Sequence, residues 1–221
     1  MIRLYKSAEP AILAANEAVW TAVILQKKAV GQEPTPTELS RYRHPEIKTA
    51  LLEETHGKCA YCESKFEHIS YGDVEHISPK SLDPGRMFKW DNLTLACDVC
   101  NTNKGNKFPD GAGLVDPYKC TPSGHFQIHG PLVFAVHGDD DARLTEETLK
   151  LNRAALVEKR QQKIYYLRDQ IEVIMRAPDR LRNVLVENLK LEIHYEQEYS
   201  AIAYKYLEEF LILNLADAAV S

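Results

Sequence analysis

Four of the five cysteines fall into two C-x-x-C pairs, Cys59/Cys62 in GKCAYCES and Cys97/Cys100 in LACDVCN. A C-x-x-C turn lets two thiolates converge on one ion, and two such turns complete the tetrahedral sulfur set that a structural zinc prefers. Four thiolates leave no open coordination position, so this ion clamps the chain and does no catalysis. Cys120 is left over. Between the pairs lie residues of another kind: Asp73, Glu75 and His76, then Asn92, with Asn101 directly after the last cysteine. A histidine beside a carboxylate can move protons, and oxygen donors suit a hard divalent cation. Val74 and Ile77 mark this stretch as a strand, where Glu75 and His76 point to opposite faces unless a bulge brings them together. Spacing alone therefore does not make them one site. The other histidines lack such company and read as ordinary surface or core groups.

The elements that must hold these residues are mostly helical. After an extended MIRLYKS comes a helix over about Glu9 to Val30, with Ile12, Leu13, Val19, Trp20, Val23 and Ile24 at helical spacing. Gly31 and GQEPTPT end it. A shorter helix starts near Pro45, carries Ile47, Leu51 and Leu52, and stops at Gly57. The chain thus divides into an N-terminal helical segment (1–57), a finger (58–108), a stretch of loop with a short hairpin from HFQIH and PLVFAVH (109–143), and a C-terminal helical region (144–221). In that last region Ile164, Leu167, Ile171 and Ile174 share a face, and Pro178 breaks the run into a final helix. This helix carries Tyr195, Tyr199, Ile202, Tyr206, Phe210 and Leu213 on one stripe, which reads first as core and second as a surface for a partner. The fold class is α+β, mainly helical.

Charge cuts against a simple reading of the finger. The net charge is −5, whereas nucleic-acid affinity rests largely on Lys and Arg neutralising phosphates. Residues 77–108 are locally favourable, with Lys80, Arg86, Lys89, Lys104 and Lys107 against Asp83, Asp91 and Asp98. Residues 187–210 are the reverse, with six Glu against Lys190 and Lys205. Asn16, Glu17, Asn214 and Asp217 interrupt the most apolar runs, so no membrane span or signal core is expected. A cytoplasmic location is the expectation, and it agrees with thiols used for metal instead of disulfides.

The arrangement YGDVEHISPKS followed by WDNLTLACDVCNTNKGNK resembles the HNH endonuclease finger, over about a quarter of the chain. The resemblance implies a ββα-metal fold, with the acid–His pair on the first strand and the final Asn at the start of the helix. It implies His76 as general base, Glu75 and Asn101 holding a Mg²⁺ or Mn²⁺ ion, and Asn92 fixing a loop or orienting the His76 ring. Asp73 would be a further ligand or a partner to one. Lys104 and Lys107 would touch phosphates. Glu75 stands where many relatives have Asp, which retains a carboxylate.

MIRLYKSAEP, the finger and LTEETLKLNRAALVEKR together look like the HNH subunit of Septu antiphage systems and its retron-associated relatives. That likeness implies an ABC-type ATPase subunit as partner, and DNA or tRNA as substrate. Two other readings stay open: a non-catalytic zinc-binding interaction module, and a stand-alone restriction-type HNH nuclease. Glu75 and His76 beside Asn92 and Asn101 weigh against the first. The acidic balance weighs against the second.

Overall fold

The computed structural model describes residues 1–66, 72–108 and 112–218, with side chains of Glu209 and 211–218 outside the description. Tyr71 and the first residues of the PDGAG turn lie outside the described residues, as does the Leu213 side chain.

Helix α1 (Ala11–Ala29) follows Pro10 and buries Leu13 and Ile24. Gly31 adopts φ 70° just past its end, a conformation glycine takes without a Cβ penalty. The GQEPTPT stretch does more than end α1. Thr35 and Glu38 form a reciprocal capping box with Pro36 at the first turn, and this starts a five-residue helix, α2 (Pro36–Ser40). A 3₁₀ turn over Arg41–Arg43 then leads into α3 (Pro45–Thr55), which ends at His56 in the left-handed conformation.

The finger is a ββα unit. Strand β1 (Asp73–His76) pairs antiparallel with β2 (Leu93–Ala96), Asp73 opposite Ala96 and His76 opposite Leu93. Helix α4 (Asp98–Lys104) follows at once, with the Cys97 sulfur accepting from the Cys100 amide at its N-cap. The N-terminal strand-like segment is pinned to this unit through Lys6. Its ammonium pairs with Glu54 at 3.0 Å and lies 4.0 Å from the Trp90 ring centroid and 4.6 Å from that of Tyr118. A half-buried cation is tolerated there because a carboxylate and two aromatic faces replace part of its water.

The predicted hairpin forms as β3 (Phe126–His129) and β4 (Leu132–Ala135), with Gly130 at φ 57° in its two-residue turn. The C-terminal region starts earlier than the apolar pattern suggests. Asp139 caps α5 (Asp140–Leu149), and α6 (Ala154–Arg176) and α7 (Asp179–Lys190) follow.

The single final helix expected after Pro178 is broken. Helix α7 stops at Lys190, and α8 (Ser200–Ala218) begins only after an irregular stretch that ends with Tyr199 at φ 55°. Bonds to the first cysteine knuckle explain the break. The Lys58 ammonium donates to the backbone carbonyls of Tyr195 and Gln197, the Lys65 amide donates to Glu198, and Tyr199 Oη shares a hydrogen bond with Ser64. These tertiary bonds outweigh helix propensity, which amounts to only ~0.7 kcal/mol per ordinary residue. Tyr199 and Ile202 are buried, and Tyr206 is partly buried. The tyrosine-bearing stripe is therefore core, and Tyr195 stands apart from it at the surface.

The larger hydrophobic core runs from Leu13 and Ile47 through the finger to Leu156 and Ile202, and a second cluster of Leu167, Ile174, Leu189, Ala203 and Leu207 joins α6, α7 and α8. The mainly helical α+β architecture expected from sequence is borne out. Among the described residues, no helix is long and apolar enough to cross a membrane.

Candidate active site

The two knuckles meet as their spacing requires. The Sγ atoms of Cys59, Cys62, Cys97 and Cys100 all lie within 4.8 Å of one another and are buried, an arrangement that could hold one zinc ion. The knuckle backbone is held to the sheet by the Ala60 amide donating to the Leu95 carbonyl. A feature invisible in the sequence covers this cluster. The Arg153 guanidinium, at the start of α6, reaches Cys62 at 3.6 Å, Cys100 at 3.8 Å and Cys97 at 4.0 Å. Four thiolates around a divalent ion carry an excess of two negative charges, and a guanidinium offsets part of it.

Beside the cluster, β1 keeps regular pleating and no bulge occurs, so Glu75 and His76 do point to opposite faces. Asp73 and Glu75 share the face toward α4. There Asn101 donates from Nδ2 to the Asp73 carboxylate at 3.0 Å. Glu75 is buried and pairs with Lys104 at 2.7 Å; burial pushes its pKa up while Lys104 pulls it back. Among the described residues no second cluster of acids and histidines converges as the thiols do.

This geometry corrects the expectation for Lys104. Its side chain is 0% exposed, and its ammonium also donates to the His76 carbonyl at 2.7 Å. The residue locks α4 to β1 and cannot reach a phosphate outside. Lys107 is exposed at the end of α4, its ammonium donating to the Asn103 carbonyl.

On the other face, His76 is 5% exposed. Its Nε2–H donates to the Met87 carbonyl at 3.0 Å, which leaves Nδ1 as the unprotonated nitrogen. Burial, and after it the Lys80 charge, push the imidazole pKa down to about 3, so the ring is neutral near pH 7. The Tyr42 ring stands edge-on to it, centroids 4.5 Å apart at 78°. Asn92, fully buried, accepts from the Ser78 amide at 2.8 Å and donates to the carbonyls of Ser78 and Arg86, each at 3.0 Å. It thereby closes the loop from Ser78 to Arg86, and the next residue is Met87, whose carbonyl holds His76. Of the two roles expected for Asn92, the loop is the one its bonds serve directly.

The charge count also changes in three dimensions. Of the five basic residues in 77–108, Arg86 pairs with Asp91, Lys89 with Glu17 and Lys104 with Glu75. Lys80 and Lys107 have no carboxylate partner among the described residues. The N-terminal segment adds Arg41 and Arg43, likewise without one, on the turn that carries Tyr42. Sequence reading missed Tyr42 and Arg43. The capping box at Thr35/Glu38 was the signal that a structured turn, not a loose linker, precedes Pro45.

A ββα finger with four clustered cysteines, an acid–His pair on its first strand and an Asn on its helix defines an HNH endonuclease domain, and residues 59–107 match that family. The resemblance of the finger is borne out. Over 155 residues the chain is 32% identical to the Septu protein PtuB of Bacillus thuringiensis, covering 69% of this chain and 55% of that protein. Over 126 residues it is 30% identical to the Septu protein PtuB of Bacillus mycoides (strain KBAB4), covering 49% of this chain and 43% of that one. The chain therefore spans about half the length of the curated relatives it matches.

Proposed function

We propose that this chain is a metal-dependent HNH endonuclease that hydrolyses phosphodiester bonds in nucleic acid as the nuclease of a Septu-like antiphage system. The observation that carries the reading is the placement of three oxygen donors and a neutral histidine on one short strand and the helix packed against it. Asp73 and Asn101 are already in contact, Glu75 shares their strand face, and His76 lies on the other face of β1. In its two-stranded sheet β1 has one edge that pairs with no further strand among the described residues, so a nucleic-acid backbone laid along that edge would meet both faces.

In this reading His76 Nδ1 takes the proton from the attacking water, while Nε2–H stays anchored on Met87. Asn92 keeps that anchor in place through its three bonds. Carboxylate and amide oxygens suit a hard cation, so Glu75 and Asn101, with Asp73, would hold Mg²⁺ or Mn²⁺. When bound, such an ion neutralises charge developing on the phosphate. The four cysteines hold structural zinc and take no part in the chemistry. Lys107 would contact the phosphate backbone.

The Septu relationship supports an ABC-type ATPase subunit as partner and DNA, or tRNA, as substrate. A net charge of −5 supports it too, because so acidic a chain gains little affinity from phosphate neutralisation at physiological salt. The test treats plasmid DNA and tRNA with purified chain, alone and with the neighbouring ATPase, before and after mild EDTA. Cutting should vanish with EDTA and return with Mg²⁺ or Mn²⁺ while zinc stays bound. Cutting that survives removal of all exchangeable metal contradicts the mechanism. Equal rates with and without the ATPase contradict the partnership.

A further inference from the structure

About half of the cations of this chain pair with acids. Lys6, Lys27, Lys58, Arg86, Lys89 and Lys104 all have carboxylate partners within 4.0 Å, as do most basic residues of α5 to α8. Two that lack one among the described residues stand against a single ring, the Tyr42 phenol. The Lys80 ammonium donates to Tyr42 Oη and lies 4.1 Å from the ring centroid. The Arg43 guanidinium is 5.5 Å from the same centroid. That ring is itself buried against His76. Arg43 is exposed and Lys80 half-buried, so both present charge to solvent beside the histidine.

Two cations gathered at one ring without a carboxylate partner repel each other. An anion that both can reach offsets that repulsion. The two arise from distant parts of the sequence. Arg43 sits on the 3₁₀ turn before α3 and Lys80 in the loop that Asn92 closes, and Tyr42 is the shared platform. We propose that Arg43 and Lys80, braced by Tyr42, form a backbone-phosphate subsite of the nuclease groove, so that the N-terminal segment builds one wall of the substrate site. The proposal rests on the nuclease reading above, and it names the segment outside the finger that grips the substrate. Arg43 offers a planar fork for two phosphate oxygens, and Lys80 offers a point charge next to the base.

The test measures binding of a short labelled DNA duplex to the full-length His76→Ala chain, with zinc content checked for each variant. Affinity is followed as salt rises from about 50 to 200 mM, a range over which each neutralised phosphate contributes a slope of about 0.9. Arg43→Gln and Lys80→Gln should each weaken binding severalfold and flatten the log–log salt slope by about 1, and together by about 2. Arg43→Lys and Lys80→Arg keep the charge and should restore the slope. Lys159→Gln, on an exposed face of α6, should change neither quantity. Unchanged slopes in both Gln variants overturn the subsite, as do equal losses in Lys159→Gln or absence of any salt-dependent binding. Cleavage by the unsubstituted chain, assayed together with the neighbouring ATPase, separates the two ideas. Binding with the expected slopes but no cutting in Mg²⁺ sinks the hydrolytic reading alone, whereas cutting with unchanged slopes sinks the subsite alone.

Discussion

The two halves of the finger carry chemistry in opposite ways. In the cysteine half, four side chains of one type lie on two tight turns and their sulfurs all lie within 4.8 Å of one another, as one zinc ion would need. In the proposed catalytic half, Asp73, Glu75, His76, Asn92 and Asn101 come from a strand, a loop and a helix, and apart from the Asp73–Asn101 contact each is engaged by a residue outside the set. Asn101 holds Asp73, Lys104 holds Glu75, and Met87 and Tyr42 hold His76. A closed metal site contributes folding free energy directly, so its parts must converge in the resting chain. A site that works by stabilising a transition state needs its parts placed, and the substrate completes the arrangement.

The comparison breaks first, and most visibly, at the cysteines. Cys59→Ser or Cys97→Ser removes one of four ligands from an ion whose apparent binding free energy in small zinc domains is ~10–16 kcal/mol. The expected result is insoluble or zinc-free protein, read as metal per chain. Normal zinc content in both variants would rule out the clamp. His76→Ala should do the converse: cleavage falls about 10²–10⁴-fold, the usual share of a general base, while the chain stays folded and keeps its zinc. A parallel loss of zinc would mean that the histidine belongs to the scaffold.

This division also accounts for what could be read from sequence. The Cys₄ cluster was legible because a C-x-x-C turn fixes the relation of two thiolates locally, and the ββα order followed from the stretch between the pairs. Asn92 was legible as a loop-fixing residue only through family resemblance. Lys104 was misread because a lysine three residues after Asn101 looks like a solvated helix face, whereas α4 packs that face onto β1. The break before α8 was invisible for a related reason. Its cause is a set of bonds from Lys58, Ser64 and Lys65 to a segment some 130 residues away in sequence. Tyr42 and Arg43 were hidden because their neighbour His76 is reached only through the fold.

Lys104 gives the next largest effect and sharpens the contrast at the end of α4. Lys104→Ala strands a buried Glu75 carboxylate, and breaking a buried ion pair from one side costs ~3–5 kcal/mol. The unfolding midpoint in urea should fall accordingly, with zinc retained in the folded fraction. Lys107→Ala, three residues on and exposed, should leave stability within about 0.5 kcal/mol. Equal behaviour of the two lysines would contradict the burial of Lys104 and return it to the substrate face.

The smallest expected effect falls on Arg153, and it tests whether the zinc half ends at its four ligands. The guanidinium lies at 3.6, 3.8 and 4.0 Å from three of the four sulfurs, while Arg153 itself belongs to the start of α6. Its charge opposes the excess negative charge of four thiolates on a divalent ion, and its N–H groups hold lone pairs that acid or a chelator would otherwise reach. Arg153→Met keeps much of the side-chain bulk and removes both contributions. Partners of this kind typically account for about 10–100-fold in metal affinity. Zinc loss to a chromophoric chelator should therefore quicken by about that factor while the cysteines remain able to bind. Arg153→Lys should recover only part of it, because an ammonium brings the charge without the planar fork. Zinc held as firmly by Arg153→Met as by the unsubstituted chain would show that the knuckles are self-sufficient. A graded loss from Arg to Lys to Met would instead tie the C-terminal helices to the metal through a single guanidinium, and the zinc clamp would then fasten the helical region as well as the finger.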